Sequence, residues 1–310
     1  MDERETLPIL GWDVGGTKSA AVVATARGEV LDRAEWPSQA GRGPEPMIAE
    51  FLAQGRELLR KHPGVASLGV SIGGPLDAHT GTILSPPHLP GWDRVSLADR
   101  LRRELGLDVV VEHDAAACLL AEWLWGAARG ATHAAYLTCG TGCGAGVLIG
   151  GRLLRGPRGQ TPEAGHIRLS DHGPRCFGKA GSAEAFGSGT GIARLAKMRF
   201  PERFAESVTA RDLHRMHVEG DSSATAVLLE SARRTGQLCA ILGDLFCPQV
   251  IVLGSLARYL GSWWVEKVRA EFVREVLPAC GCDTNIVPPE LGERLQDLSA
   301  VAPCLAAEAR

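Results

Sequence analysis

The chain has 310 residues, 45% of them hydrophobic and 22% charged, with a formal net charge of −3. That length exceeds one ordinary core and calls for two lobes of roughly 100–200 residues each, in a soluble globular composition. The mild acidity, without a long run of one sign, excludes the basic face that neutralises nucleic-acid phosphates, so no nucleic-acid partner is expected.

The opening MDERETLPIL is acidic and runs straight into an apolar strand, so no signal peptide is expected. No stretch approaches the ~18 uninterrupted apolar residues of a membrane span. Nine cysteines, odd in number and scattered through apolar segments as at Cys118 and Cys239, read as reduced thiols, which points to the cytoplasm.

In chain order, PILGWDVGGTKSAAVVAT reads as two strands around a Gly-Gly turn, and GEVLDRAEW as a third. PEPMIAEFLAQGRELLRKH has apolar residues at helical spacing, with Pro at its start and basic residues at its end. ASLGVSIG is a buried strand running into the glycine loop GGPLD. SLADRLRRELG is a short capped helix, DVVVEH a strand, and a helix follows from about Asp114 to Ala128. The pattern then restarts with strands HAAYLTCG and GAGVLIGG around a second glycine loop. Helices are expected near 184–199 and 222–246, PQVIVLGS as a strand, WWVEKVRAEFVREVL as a helix, and a last helix over roughly 291–308. The lobes are expected at 1–116, joined by the last helix at 291–310, and at 117–290. Each opens with a strand pair joined by a glycine turn.

Phosphate binding needs backbone N–H groups close to an anion, an approach that glycine permits. Asp13, Gly15, Gly16, Thr17 and Lys18 form one such turn, with Asp13 at the strand end where it can hold a hydrated Mg²⁺. Gly140, Thr141, Gly142, Gly144 and Gly146 form the second. Singly, each also fits a plain β-hairpin turn; the pair together points to nucleotide. Asp114, at a strand end and a helix start, is the candidate general base for a hydroxyl attacking a γ-phosphate, and equally fits a plain N-cap. Glu163, His166 and Glu184 are suited to gripping sugar hydroxyls, although an isolated E-x-x-H carries little by itself.

DVGGTK, SIGGPLD, SPPHLPGW, HDAAA, GTGCGAG and EAGH, followed by EAFGSG, occur in the order and spacing of the ROK family, which the chain resembles from about residue 9 to its end. The resemblance implies an actin-like (ribonuclease H-like) α/β ATPase fold, two lobes around a nucleotide cleft, ATP and Mg²⁺, and a homodimer. It implies Asp114 as base, sugar contacts from Gly74, His88, His113, Glu163, His166 and Glu184, and Gly254 of VIVLGS near the adenosine.

Three departures stand out. His113 and His88 occupy positions where the family usually carries Asn, which leaves the sugar open. The family's zinc site joins its E-x-G-H histidine to three cysteines; here those positions are Arg175, Phe177 and Ser182, and only His166 remains. Tetrahedral zinc takes four N or S ligands, so a zinc-free site is expected, held by packing with Phe177 filling the space. Cys280 and Cys282, further on, read as ordinary loop thiols.

The reading is an ATP-dependent, glucokinase-like kinase for a hexose or N-acetylhexosamine, at the 6-hydroxyl. The alternative is a sugar-responsive regulatory or binding protein without kinase activity. About a dozen residues precede Asp13, so the helix-turn-helix of a repressor is not expected.

Overall fold

The computed structural model describes residues 7–281 and 283–308; Cys282 and the first six residues lie outside them. The chain forms two compact units: residues 1–129, 155–161 and 291–310, and residues 130–154 and 162–290.

The first unit holds β1 (Pro8–Val14), β2 (Lys18–Thr25), β3 (Val30–Pro37), α1 (Pro44–Lys61), β4 (Ser67–Ile72), β5 (Leu76–Asp77), β6 (Thr82–Leu84), β7 (Asp93–Ser96), α2 (Leu97–Leu105), β8 (Asp108–His113) and α3 (Asp114–Trp125). The second holds β9 (Ala134–Leu137), β10 (Ala145–Ile149), β11 (Arg152–Leu153), β12 (Arg175–Cys176), β13 (Lys179–Ala180), α4 (Ala183–Gly187), α5 (Gly189–Arg199), α6 (Ala210–Val218) and α7 (Ser222–Phe246). It continues through β14 (Val250–Leu253), α8 (Ser255–Glu275), α9 (Pro278–Gly281) and β15 (Asn285–Val287), and α10 (Leu295–Glu308) returns to the first unit.

The two main sheets share one plan. The first runs β3-β2-β1-β4-β8, with the β3-β2-β1 pairings antiparallel and β1-β4-β8 parallel. The second runs β11-β10-β9-β14-β15 with the same senses in the same places. The central parallel strands SLGVSI and VIVL are buried almost throughout, as strands covered on both faces must be. Edge strand β3 instead alternates half-buried and exposed residues.

Each unit has its own apolar core. In the first, α1 buries Met47, Ile48, Phe51, Leu52, Gly55 and Leu58, a helical stripe, against one sheet face. Trp12 stacks on Phe51 with ring centroids 4.8 Å apart. On the other face α10 lies so close that a Cβ at Gly69 would stand 2.1 Å from the Ala300 carbonyl oxygen, and one at Gly11 2.7 Å from Val301. These two glycines allow the helix to seat.

Several boundaries differ from expectation. α3 lies whole within the first unit, which continues to Arg129 rather than ending at 116, because α3 packs against α10. α3 stops at Trp125, where Gly126 leaves helical geometry. Ser188 breaks 184–199 into α4 and α5 and caps the second through the Gly191 amide, 2.9 Å. α2 has no side-chain cap at Ser96. α8 begins eight residues before Trp263, with a kink at Gly261. Cys139, Cys143, Cys176 and Cys239 are buried free thiols. Among the described residues, no helix is long and apolar enough to cross a membrane.

Candidate active site

Val14, Ile72 and His113 stand in register at the carboxyl ends of β1, β4 and β8, the edge at which open parallel sheets bind ligands. The chain leaves β1 into Gly15 and Gly16, β4 into Gly73 and Gly74, and β8 into Asp114. Three elements of the sequence reading thus converge on one sheet edge.

Each glycine there meets another site residue. A Cβ on Gly15 would lie 2.4 Å from the Lys18 carbonyl oxygen, so the first turn closes only on glycine. One on Gly16 would lie 3.0 Å from the His88 carbonyl oxygen, which sets the exposed His88 over that turn. Its loop is anchored beside it by buried Leu89 and Trp92. One on Gly74 would lie 2.5 Å from His113 Cδ2 and 2.9 Å from its Nε2.

His113, not Asp114, is the N-cap of α3. Its Nδ1 lies 3.2 Å from the Ala115 amide nitrogen and 3.2 Å from Asp114 Oδ1, and its Nε2 edge stands against Gly74. Asp114 is the first helical residue, its side chain 45% exposed, and its Oδ1 also accepts from the Ala115 amide at 2.6 Å. The imidazole and the carboxylate share that amide, and Asp114 remains accessible through its exposed side.

Asp13 sits in register with Ser71 and Glu112 on the sheet face that α10 covers. Burial pushes its carboxyl up to about 7, and the neighbouring Asp114 and Asp297 carboxylates push the same way. Arg33 works against this but is shared: its Nε donates to Asp297 at 2.9 and 3.0 Å, and its Nη2 to Glu35 at 2.5 Å. Lys18, expected on phosphate, pairs with Glu35. A desolvated carboxylate lacking its own cation suits a hydrated Mg²⁺, which dehydrates reluctantly and binds through one or two carboxylates plus phosphates.

The second unit gathers the remaining residues around its own turn. Thr138 and Gly144 pair across it, backbone to backbone at 3.0 Å and through Thr138 Oγ1 at 2.8 Å. The Gly189 amide, at the start of α5, donates to the Gly140 carbonyl at 2.7 Å. Gly254, before α8, fits flush on the Thr138 carbonyl, 1.9 Å from where a Cβ would stand. That places the short first segment of α8, residues 255–260 before the break at Gly261, beside the turn.

EAGH joins the same cluster: a Cβ on Gly165 would be 1.8 Å from the Cys143 carbonyl oxygen. Glu163 and His166 are exposed, while Glu184, in the first turn of α4, accepts from the Cys143 amide at 3.0 Å. One predicted sugar residue is thereby tied to the glycine turn itself, a link that nothing in its spacing announced.

At the positions of the zinc cysteines stands the hairpin β12–β13. Phe177 fills no space there: it is 55% exposed at the tip, with φ of +48°, while the adjacent Cys176 is the residue packed in the core. Polar bonds do the bracing, from Lys179 to the His166 carbonyl at 2.7 Å and from Arg194 to the Arg175 carbonyl at 2.6 Å.

Two units of one sheet order, each with a glycine turn after its first strand, define an actin-like ATPase fold. The sequence profile of the ROK family matches residues 9–293. A glucokinase of Streptomyces coelicolor is 30% identical over 279 residues, 86% of this chain and 87% of that relative. An N-acetylmannosamine kinase of Escherichia fergusonii is 34% identical over 252 residues, 80% and 82%. Among solved structures, a ROK hexokinase from Thermus thermophilus matches with a TM-score of 0.85 at 32% identity, over 98% of this chain and all of that one. A ROK glucokinase from Streptomyces griseus, in complex with glucose and AMPPNP, matches at 0.81 and 28%, over 97% and 99%. The chain belongs to the ROK family.

Proposed function

We propose that this sugar kinase transfers the γ-phosphoryl group of ATP to a hydroxyl of a hexose or N-acetylhexosamine, with Asp114 as general base. The observation that carries the reading is Asp114 itself: an accessible carboxylate at the carboxyl edge of the parallel strands and neighbour to Asp13. The relatives act on glucose and N-acetylmannosamine by name, and the Streptomyces griseus structure holds glucose with an ATP analogue, which supports the substrate class.

ATP with Mg²⁺ supplies the electrophilic phosphorus and neutralises its oxygens. The chain's own groups bind, orient and take the proton. Amides of the two glycine turns and the α8 N-terminus at Gly254 would hold phosphate and nucleotide, and Asp13 would hold the metal through water. Glu163, His166 and Glu184 would grip sugar hydroxyls. His113 beside Gly74 and His88 over the first turn would set which sugar is taken. Asp114 Oδ accepts the hydroxyl proton as the sugar oxygen forms its bond to phosphorus and the phosphorus–oxygen bond to ADP breaks.

A coupled ADP-release assay across glucose, fructose, mannose, allose, N-acetylglucosamine and N-acetylmannosamine tests this. Sugar-dependent ADP release with at least one of them is expected. Sugar binding by calorimetry without ADP release on any would leave a binding protein instead.

A further inference from the structure

The Glu112 carboxylate is 2% exposed and immediately precedes His113 and Asp114. An isolated charge at that depth is strongly unfavourable, and three N–H donors meet it. Oε1 accepts from the His113 amide at 2.9 Å and from Arg155 Nη1 at 3.1 Å, and Oε2 accepts from Arg155 Nη2. The guanidinium, 12% exposed, thus holds the carboxylate through both oxygens, while the carboxylate holds the backbone on which the base is mounted.

Arg155 does not come from the first unit's main run of chain. It opens the strap 155–161, which the chain inserts into that unit between two stretches of the second. The strap lies flush on the β5–β6 turn: a Cβ at Gly159 would stand 2.8 Å from the Ala78 amide nitrogen. Bonds from the Gly156 amide to the Gln160 carbonyl, 2.8 Å, and from the Gly159 amide to the Gly156 carbonyl, 3.0 Å, keep it compact. Two residues beyond its end comes Glu163.

We infer that Arg155 is a positioning residue: through Glu112 it fixes the backbone that aims Asp114, and it anchors the strap from which the Glu163–His166 segment departs. The inference rests on Asp114 being the base. A pair serving stability alone would be replaceable by two neutral groups, since a buried ion pair exchanged for neutral side chains is often no less stable, whereas removal of one partner strands a charge.

The full-length chain is measured as Arg155→Met, Arg155→Lys and Glu112→Gln/Arg155→Met, with Asp114→Asn as reference, for melting temperature, sugar kcat/KM and ATP KM. Arg155→Met is expected to melt earlier and to lose roughly 10²-fold in sugar kcat/KM, the scale on which a 1 Å misplacement is felt, with ATP KM nearly unchanged. Arg155→Lys keeps the charge without the fork and should fall between. The double variant should regain the melting temperature but not kcat/KM. Recovery of kcat/KM together with stability would overturn the inference, as would normal turnover in Arg155→Lys and the double variant while Asp114→Asn is inactive. An active Asp114→Asn would instead overturn the base assignment on which it rests. If Arg155→Met does not fold, the lysine and double variants decide.

Discussion

The two units carry the same five-strand plan and place a glycine turn at the same point in it, yet the turns are furnished differently. The first is surrounded by ionisable groups: Asp13 at its root, Asp114 past the neighbouring strands, and Lys18, Glu35, Arg33 and Asp297 in a chain of ion pairs. The second is surrounded by amides, carbonyls and thiols, braced by Thr138, Gly189 and Gly254, with the single carboxylate of Glu184 bonded into it. A repeated backbone can thus serve two chemistries. On the proposed function both turns present amides to phosphate, and the first adds the side chains that metal and proton transfer require.

The most severe test of that division is Asp114→Asn. It should leave the fold and ATP binding intact and lower kcat by roughly 10²–10⁴, the usual loss for a general base; near-normal turnover would remove Asp114 from the mechanism.

Next comes Asp13, read by melting the protein free of metal and nucleotide. Its folded carboxyl titrates near 7 against 3.8 for the ordinary group. The native state therefore holds the proton more tightly, and this contribution to stability is present below pH 3.8 and lost as pH rises towards 7. Asp13→Asn should match wild type at pH 4 and exceed it at pH 8 by roughly 2–4 kcal/mol. An equal gain at both pH values would refute the buried-carboxylate account.

In the second unit, Glu184→Gln keeps an acceptor for the Cys143 amide but loses its charge, a cost of about 1–2 kcal/mol. Sugar and ATP KM should both rise, roughly 5–30-fold. A change confined to sugar would mean that the bond to the turn has no role in nucleotide binding.

His113→Asn with His88→Asn probes what the first unit presents to the sugar. Asn offers two donors and an acceptor, where a neutral imidazole offers one donor and one acceptor that point apart. The double variant should shift relative kcat/KM towards glucose by roughly tenfold; an unchanged ranking would free these histidines from specificity.

The smallest expected effect is none: elemental analysis should find no stoichiometric zinc, and a chelator should leave the melting temperature alone. The region around His166 already has Lys179, Arg194 and buried Cys176 to hold it. One zinc per chain would reverse this.

Much of this was legible in the residues, for physical reasons. Apolar runs such as VVVEH and VIVL mark parallel strands, and a glycine pair directly after such a run marks the turn. The Ser222–Phe246 helix follows from its periodicity. Short elements were not legible: β5–β7, α6 and the β12–β13 hairpin are defined by partners far along the chain or lack a long apolar pattern. The roles of neighbours were also hidden. Asp114 fits an N-cap by type, and only the geometry places the cap one residue earlier, at His113. Glu112 breaks an apolar strand and Arg155 opens a polar loop, so neither announces the other. The bulk of Phe177 points to burial, whereas its place at a two-residue hairpin tip turns the side chain outward.

The seat of α10 has a consequence for synthesis. Gly11 and Gly69 keep one face of the first sheet bare for a helix that is made only after the second unit. Domains ordinarily fold from the N-terminus as they emerge, at about 5–20 residues per second. Here the lobe begun first is completed last. From the end of α3 until Leu295 is made, its sheet waits with the face that α10 covers still open, while the chain builds the second unit. Nascent chains arrested before Leu295 should therefore engage chaperones through their oldest strands.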